Sequence, residues 1–96
     1  MRTIWKFEIK MYGTTEIIMP IRAEVLTVQM QKGIPCIWVE LNPRELEKQI
    51  RYFQWYGTGH PMPISHKRYI GTIQDAQGEL VFHLYENRSN YDKQPM

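Results

Sequence analysis

Residues 26–41 read LTVQMQKGIPCIWVEL, and this stretch decides the fold. Apolar and polar residues alternate through residues 26–31, which is the period of two that is typical of a half-buried β-strand. Residues 34–41 predict the returning strand, and Gly33 can supply the positive φ that a tight turn between the two strands requires. The stretch therefore predicts a β-hairpin.

The same alternation extends outward in both directions, and only one short segment favours a helix. Asn42 and Pro43 suit the cap and the first position of a single helical turn at residues 43–47. The sequence predicts an all-β, mainly antiparallel fold of six to seven short strands, in a small sandwich or an open barrel, with at most one helical turn. The further strands are predicted at residues 5–9, 15–19, 48–56, 67–74 and 79–85.

The length and composition predict one small globular domain. The chain has 96 residues, of which 43% are hydrophobic and 23% are charged, and this is too apolar for a disordered chain. We expect residues 1–86 to form a single β domain. Residues 87–96 lack periodicity and predict a flexible polar tail that frays or docks on a partner.

Several functional classes are disfavoured by what the sequence lacks. No apolar stretch approaches the roughly 20 residues of a membrane span, and a net charge of +2 does not by itself indicate a nucleic-acid-binding protein. The single cysteine, Cys36, lies within a predicted strand and is expected to be a buried, inert thiol. His60, His66 and His83 match no standard metal spacing. We expect no metal, no cofactor, no membrane partner and no enzymatic activity.

Cations and aromatic residues are concentrated between residues 48 and 75. No carboxylate precedes Asp75 in this segment, whereas four lysines or arginines and five aromatic residues occur there. Such a mixture suits a ligand with phosphates and a base, because cations bind phosphates and rings stack on bases. The alternative is that the aromatic residues form core and the cations a solvated rim; since Arg51, Phe53 and Trp55 share one face, at least one face must be core.

The loop Gly57-Thr58-Gly59-His60-Pro61 lies between two predicted strands. Glycines on both sides of Thr58 allow successive N–H groups to form an anion-binding nest, although the same residues also suit a simple turn. With the neighbouring cations and rings, the loop defines a candidate ligand-binding site. Its predicted members are Arg51, Trp55, Tyr56, Gly57, Thr58, Gly59, His60, Lys67, Arg68 and Tyr69.

Six segments in register resemble a family of small bacteriophage and prophage proteins. They are residues 3–7, Met19-Pro20, the hairpin segments 28–31 and 35–38, the Gly57–Pro61 loop, residues 69–72 and residues 80–83. The resemblance extends from the start to about Glu86, whereas Ile21-Arg22 and the length of the tail depart from it. It implies a viral origin and a setting in the cytoplasm of the infected bacterium, and it supplies no catalytic residue.

We therefore expect a phage-encoded, non-enzymatic binding protein. By analogy with small phage inhibitors of host defence, it would sequester a phosphate-containing, cyclic nucleotide signal as a homo-oligomer. A protein–protein inhibitor that docks on a host defence or housekeeping protein through a strand edge or aromatic patch is the first alternative. A small nucleic-acid-binding module is the second.

Overall fold

The computed structural model describes residues 1–75 and 77–88, which form seven strands and no helix. The all-β prediction is therefore confirmed. The strands are β1 (Thr3–Glu8), β2 (Thr14–Pro20), β3 (Glu24–Gln31), β4 (Ile34–Leu41), β5 (Lys48–Gly57), β6 (Lys67–Gln74) and β7 (Val81–Asn87).

The strands form two antiparallel sheets that make a small sandwich. The first sheet has the order β1-β4-β3, and the second has the order β2-β5-β7-β6. Although β7 follows β5 and β6 in the chain, it lies between them in the sheet. β5 and β6 are thus both antiparallel to β7 and run in the same direction.

Turn chemistry explains the hairpin between β3 and β4. Lys32 and Gly33 both have positive φ, 51° and 81°, as the tight turns that match strand twist require. The single turn predicted at residues 43–47 is present in a shorter form, at residues 43–44, and no helix follows. Asn42 caps this turn, because its Oδ1 accepts the Arg44 N–H (3.0 Å) and its carbonyl accepts the Glu45 N–H (3.1 Å).

Not every predicted apolar face is buried, because Trp5, Leu26 and Met30 are 42%, 46% and 38% exposed and β3 has a bulge between Val25 and Thr27. Alternate residues of β2 and β5 do point inward, and the core lies between the sheets. Its largest fully buried apolar side chains come from both sheets: Met19, Ile37, Val39, Leu41, Phe53 and Leu84. Cys36 is buried, as expected. The burial of these chains supplies most of the free energy of folding, at about 25 cal/mol per Å² of apolar surface.

The two sheets approach each other closely along one seam, where β3 packs against β6. A Cβ placed on Gly71 would lie 2.8 Å from Cγ1 of Val28, so a side chain at this position would force the strands apart. The Arg68 guanidinium also spans the seam and donates to the Val25 carbonyl (3.3 Å). Gly71 is therefore required by packing, not by an unusual backbone conformation.

A buried ion pair lies in this core. Arg51 is 5% exposed and Glu86 is 0% exposed, and the guanidinium donates to both carboxylate oxygens. Its remaining terminal nitrogen, Nη1, donates to the carbonyl of Ala23, just before β3. Arg51 thus joins β5, β7 and the start of β3, which belongs to the other sheet.

The described end of the chain extends slightly beyond the expected domain boundary. Asn87 is the last residue of β7, and the Arg88 N–H donates to the His66 carbonyl (2.8 Å). The expected domain ends at residue 86, so the strand continues one residue further. The rest of the predicted flexible tail, residues 89–96, lies outside the described residues. Across residues 1–75 and 77–88, no helix has the length and hydrophobicity to cross a bilayer.

Separate and joint replacement of the buried ion pair tests its energetic role. Arg51→Met leaves the Glu86 charge buried and unpaired, and Glu86→Leu does the same to Arg51. We expect each single change to lower the free energy of unfolding by about 3–5 kcal/mol, and the double change to cost less than either. Urea unfolding of the four proteins checks this. A double-mutant cost equal to the sum of the two single costs would contradict it.

The seam between β3 and β6 gives a second stability prediction. Gly71→Ala introduces a Cβ against Val28 and should lower the free energy of unfolding by about 1–3 kcal/mol through overpacking. With Val28→Ala already in place, the clashing methyl is gone, so the same change should cost less by about 0.5–3 kcal/mol. Additive costs in thermal or urea unfolding would show that the contact does not limit this position.

Candidate ligand-binding site

The connection from β5 to β6 must return along the length of the sheet because the two strands run in the same direction. Residues 58–66 make this crossover and are exposed. The Lys67 ammonium donates to the Pro63 carbonyl and to Oγ of Ser65, and it lies 5.8 Å from the centre of the Tyr56 ring. Tyr56 alternates with the buried Trp55, so the crossover passes by the sheet face that points away from the core.

A tight turn opens the crossover and fixes the predicted Gly-Thr-Gly-His loop. The His60 N–H donates to the Gly57 carbonyl (3.1 Å), and Gly59 adopts a φ of +84° inside the turn. The Thr58 N–H donates to the Val81 carbonyl (3.3 Å), which ties the turn to β7. A Cβ on Gly57 would lie 2.7 Å from the His60 ring, so the missing side chain provides the space for the imidazole.

A half-open pocket of about 440 Å³ lies between this turn and the β6–β7 hairpin. Asp75 holds the hairpin loop in shape, because its Oδ1 accepts the N–H groups of Glu79 (2.8 Å) and Leu80 (3.3 Å). The walls are mainly apolar, with polar groups from two predicted residues and from one hairpin carboxylate. The lining residues are Gly57, Thr58, His60, Glu79, Leu80, Val81 and Phe82.

A chain of hydrogen bonds leads from the pocket wall across the outer face of the sheet. Oγ1 of Thr58 lies 2.8 Å from Nε2 of His83, and Nδ1 of His83 lies 2.9 Å from Oγ1 of Thr72. The Thr72 hydroxyl is in turn bonded to the phenol of Tyr69 (2.5 Å). Thr58 and Tyr69 belong to the predicted set, and the structure connects them through two residues that the set did not include.

Three tyrosine rings form an aromatic cluster beside this chain. Tyr85 lies between Tyr56 (5.7 Å between ring centres) and Tyr69 (5.4 Å). Desolvation by burial raises the pKa of the Tyr56 phenol, which therefore stays protonated in the range where proteins are normally handled. The cluster presents three aromatic rings, with the Lys67 ammonium at its edge.

Two predicted ligand contacts are corrected by the structure. Arg51 was expected to bind phosphate, but its guanidinium is buried and is bonded to Glu86 and Ala23. Trp55 was one of three rings, with Tyr56 and Tyr69, that were expected to stack on a base, but it is 9% exposed and its indole N–H donates to the Lys10 carbonyl (2.8 Å). Both side chains belong to the core face of β5.

The two neighbouring cations of β6 do not share a site. Arg68 alternates with Lys67 and therefore points to the opposite face, where it reaches Val25 at the seam. Of this pair, Lys67 lies beside the tyrosine cluster. Among the residues that the structure describes, no three His, Cys, Asp or Glu side chains lie close enough together to hold a metal ion.

The site residues predicted from the sequence do not include those of the β6–β7 hairpin. Glu79, Phe82 and His83 face Thr58 or the pocket only because β7 lies between β5 and β6. The sequence did contain a signal for the pairing of Thr72 with His83. In a β6–β7 hairpin with the observed register, Thr72 lies opposite His83, and a polar pair at such positions indicates a cross-strand hydrogen bond.

Comparison with protein families places the chain in one family. A family model described as "Domain of unknown function (DUF7352)" matches residues 1–94. The chain belongs to this family. The match covers both sheets and every residue of the pocket, and its description gives no ligand or source, so the phage resemblance stays a prediction. No curated protein and no solved structure matches the chain.

Gly57→Ala tests how the turn seats His60. The new Cβ would occupy the position of the imidazole, so we expect the ring to rotate away while the backbone of the turn is kept. The ring proton shifts of His60 should change in NMR spectra, whereas amide shifts of the β3–β4 hairpin should not. Unchanged His60 ring shifts would contradict the contact.

Proposed function

We propose that this protein is a non-enzymatic binding protein for a nucleotide-like small molecule that carries phosphate. The pocket beside the Gly57–His60 turn would receive the base, and the ammonium of Lys67 would interact with the phosphate. This retains the ligand class expected from the sequence and relocates the contacts from the core face of β5 to the end and outer face of the sheet.

The observation that carries the proposal is the pocket itself. Its volume of about 440 Å³ lies within the range of small-molecule sites, and such sites combine mostly apolar walls with a few placed polar groups. Phe82 and Leu80 offer apolar contact for a ring, while Thr58, His60 and Glu79 can hydrogen-bond to its edge. A turn braced by Val81 and a hairpin braced by Asp75 provide a site with little ordering entropy to lose.

The position of Lys67 supports a phosphate beyond the pocket. The pocket wall itself contributes a carboxylate, Glu79, and no lysine or arginine, so a phosphate has little reason to enter it. Lys67 lies over Tyr56, the residue that precedes Gly57 in β5. A ligand that places its base between the turn and the hairpin would thus extend its phosphate along the tyrosine cluster.

Self-association, a viral origin and a setting in the host bacterial cytoplasm belong to the same proposal. β1 pairs only with β4, and β2 pairs only with β5, among the described strands. Such edges are often covered by a second copy in small β proteins. A homo-oligomer that captures a cyclic nucleotide without cleaving it would act as the sequestering protein that the analogy with small phage inhibitors suggests.

Calorimetric titration with cyclic mononucleotides, cyclic dinucleotides and the corresponding nucleosides tests this proposal. We expect at least one nucleotide to bind and to be recovered intact, with native mass spectrometry reporting the subunit number of the complex. Lys67→Gln keeps a donor for the crossover but removes the charge. It should weaken the binding of the nucleotide by about 1.5–3 kcal/mol and leave the affinity for the nucleoside unchanged.

Arg68→Gln is the matched control, because Arg68 adjoins Lys67 in sequence but points to the opposite face. It should leave both affinities unchanged. The assignment of the phosphate to Lys67 fails if both variants lose affinity equally. The proposed function fails if no nucleotide binds, and recovery of a cleaved product would contradict its non-enzymatic part.

The edge strand β1 favours the protein–protein inhibitor as a second candidate. Ile4 is 53% exposed and Trp5 is 42% exposed, and an exposed edge with large apolar side chains suits strand addition by another protein. A bacterial protein retained by the wild type but not by Ile4→Lys, in the absence of nucleotide, would support this candidate.

A further inference from the structure

The three hydrogen bonds that link Thr58 to Tyr69 can each be assigned a donor and an acceptor. Each of the three hydrogen bonds could in principle run either way, because hydroxyls both donate and accept and neutral imidazole does one at each nitrogen. The bonds are not independent, however. His83 bonds to hydroxyls at both ring nitrogens, so fixing the donor at one end fixes the tautomer and hence the other end.

The phenol of Tyr69 determines the direction. A phenol is a better donor and a poorer acceptor than an aliphatic hydroxyl, since its oxygen lone pair is delocalised into the ring. Tyr69 therefore donates to Oγ1 of Thr72. Contact with the ring of Tyr85 (5.4 Å between ring centres) holds the phenol in this position. The Thr72 oxygen could accept a second hydrogen bond, but directing its proton to Nδ1 of His83 lets both Thr72 and His83 accept and donate, which is the cooperative arrangement.

The tautomer of His83 follows from this order. Nδ1 accepts and must carry the lone pair, so the proton of the neutral ring is on Nε2. Nε2–H then donates to Oγ1 of Thr58. None of the other three groups in this series accepts the Thr58 hydroxyl proton. Thr58 lines the pocket, so this proton is placed to bond to a ligand there. Successive bonds in one direction polarise each other, which strengthens the final donor.

We propose that Tyr69, Thr72 and His83 act as positioning residues that make the Thr58 hydroxyl a hydrogen-bond donor into the pocket, selecting a ligand with an unprotonated oxygen there. This inference rests on the proposed binding function and specifies the chemistry of one contact. With the base in the pocket, this oxygen is a carbonyl of the base, an acceptor without a proton of its own.

The direction of the chain is testable without any ligand. Nitrogen-15 NMR of the ring at a pH where His83 is neutral distinguishes the two tautomers. We expect the Nε2–H form in the wild type. Tyr69→Phe removes the first donor and should increase the share of the Nδ1–H form, whereas Tyr52→Phe, a tyrosine outside the chain, should not. A dominant Nδ1–H form in the wild type would overturn the proposal, whether or not a nucleotide binds.

The chemistry of the contact is tested with the nucleotide and nucleoside panel. Thr58→Val removes the donor and should weaken binding about tenfold, while Thr58→Ser should restore most of it. Equal weakening of a nucleotide and its nucleoside supports a base carbonyl, whereas weakening of the nucleotide alone would show a phosphoryl oxygen at Thr58 and overturn the placement of the base in the pocket. Unchanged affinity of both in Thr58→Val overturns the assigned contact. A correct tautomer without any nucleotide binding would refute the proposed ligand class and leave the direction of the chain standing.

Discussion

The ion pair between Arg51 and Glu86 is the constraint on which the arrangement of the sheets depends. A charge without solvent is tolerated only when its hydrogen bonds are satisfied, and the Arg51 guanidinium meets this condition with groups from both sheets. Because the carboxylate comes from β7 and the third acceptor precedes β3, the guanidinium ties both segments to β5. An apolar side chain could fill the space, but it would not impose this geometry.

The alternation of side chains along β5 determines which residues form the candidate site. Trp55 points inward with Arg51, which leaves Tyr56 and its tyrosine neighbours on the outer face. The pocket lies at the end of the sheet, where this outer face meets the turn after β5. A ligand in the pocket would contact Phe82, at the end of the core, and Thr58, where the series of polar hydrogen bonds begins.

Much of the fold could be predicted from the sequence because its strands follow a period of two. The bounds of β4 and β6 match the prediction, and Gly33 lies where the hairpin turn needs it. The roles of the charged residues could not be predicted as well. Arg51 looked available to a ligand since Glu86 is 35 residues away in the chain, and no local pattern indicates such a pair. Alternation alone, applied to Lys67 and Arg68, would have separated them.

The insertion of β7 between two earlier strands has a consequence for how the molecule opens. β6 and β7 form a local hairpin, which can assemble early, whereas β5 meets it across a longer loop. The buried Arg51–Glu86 pair also crosses the boundary between β5 and β7, so this boundary resists opening until the pair breaks, and the pocket spans it with one wall from each side. A ligand that contacts both walls would further oppose this opening. Saturating the protein with ligand would therefore slow amide hydrogen exchange along β5 and β7.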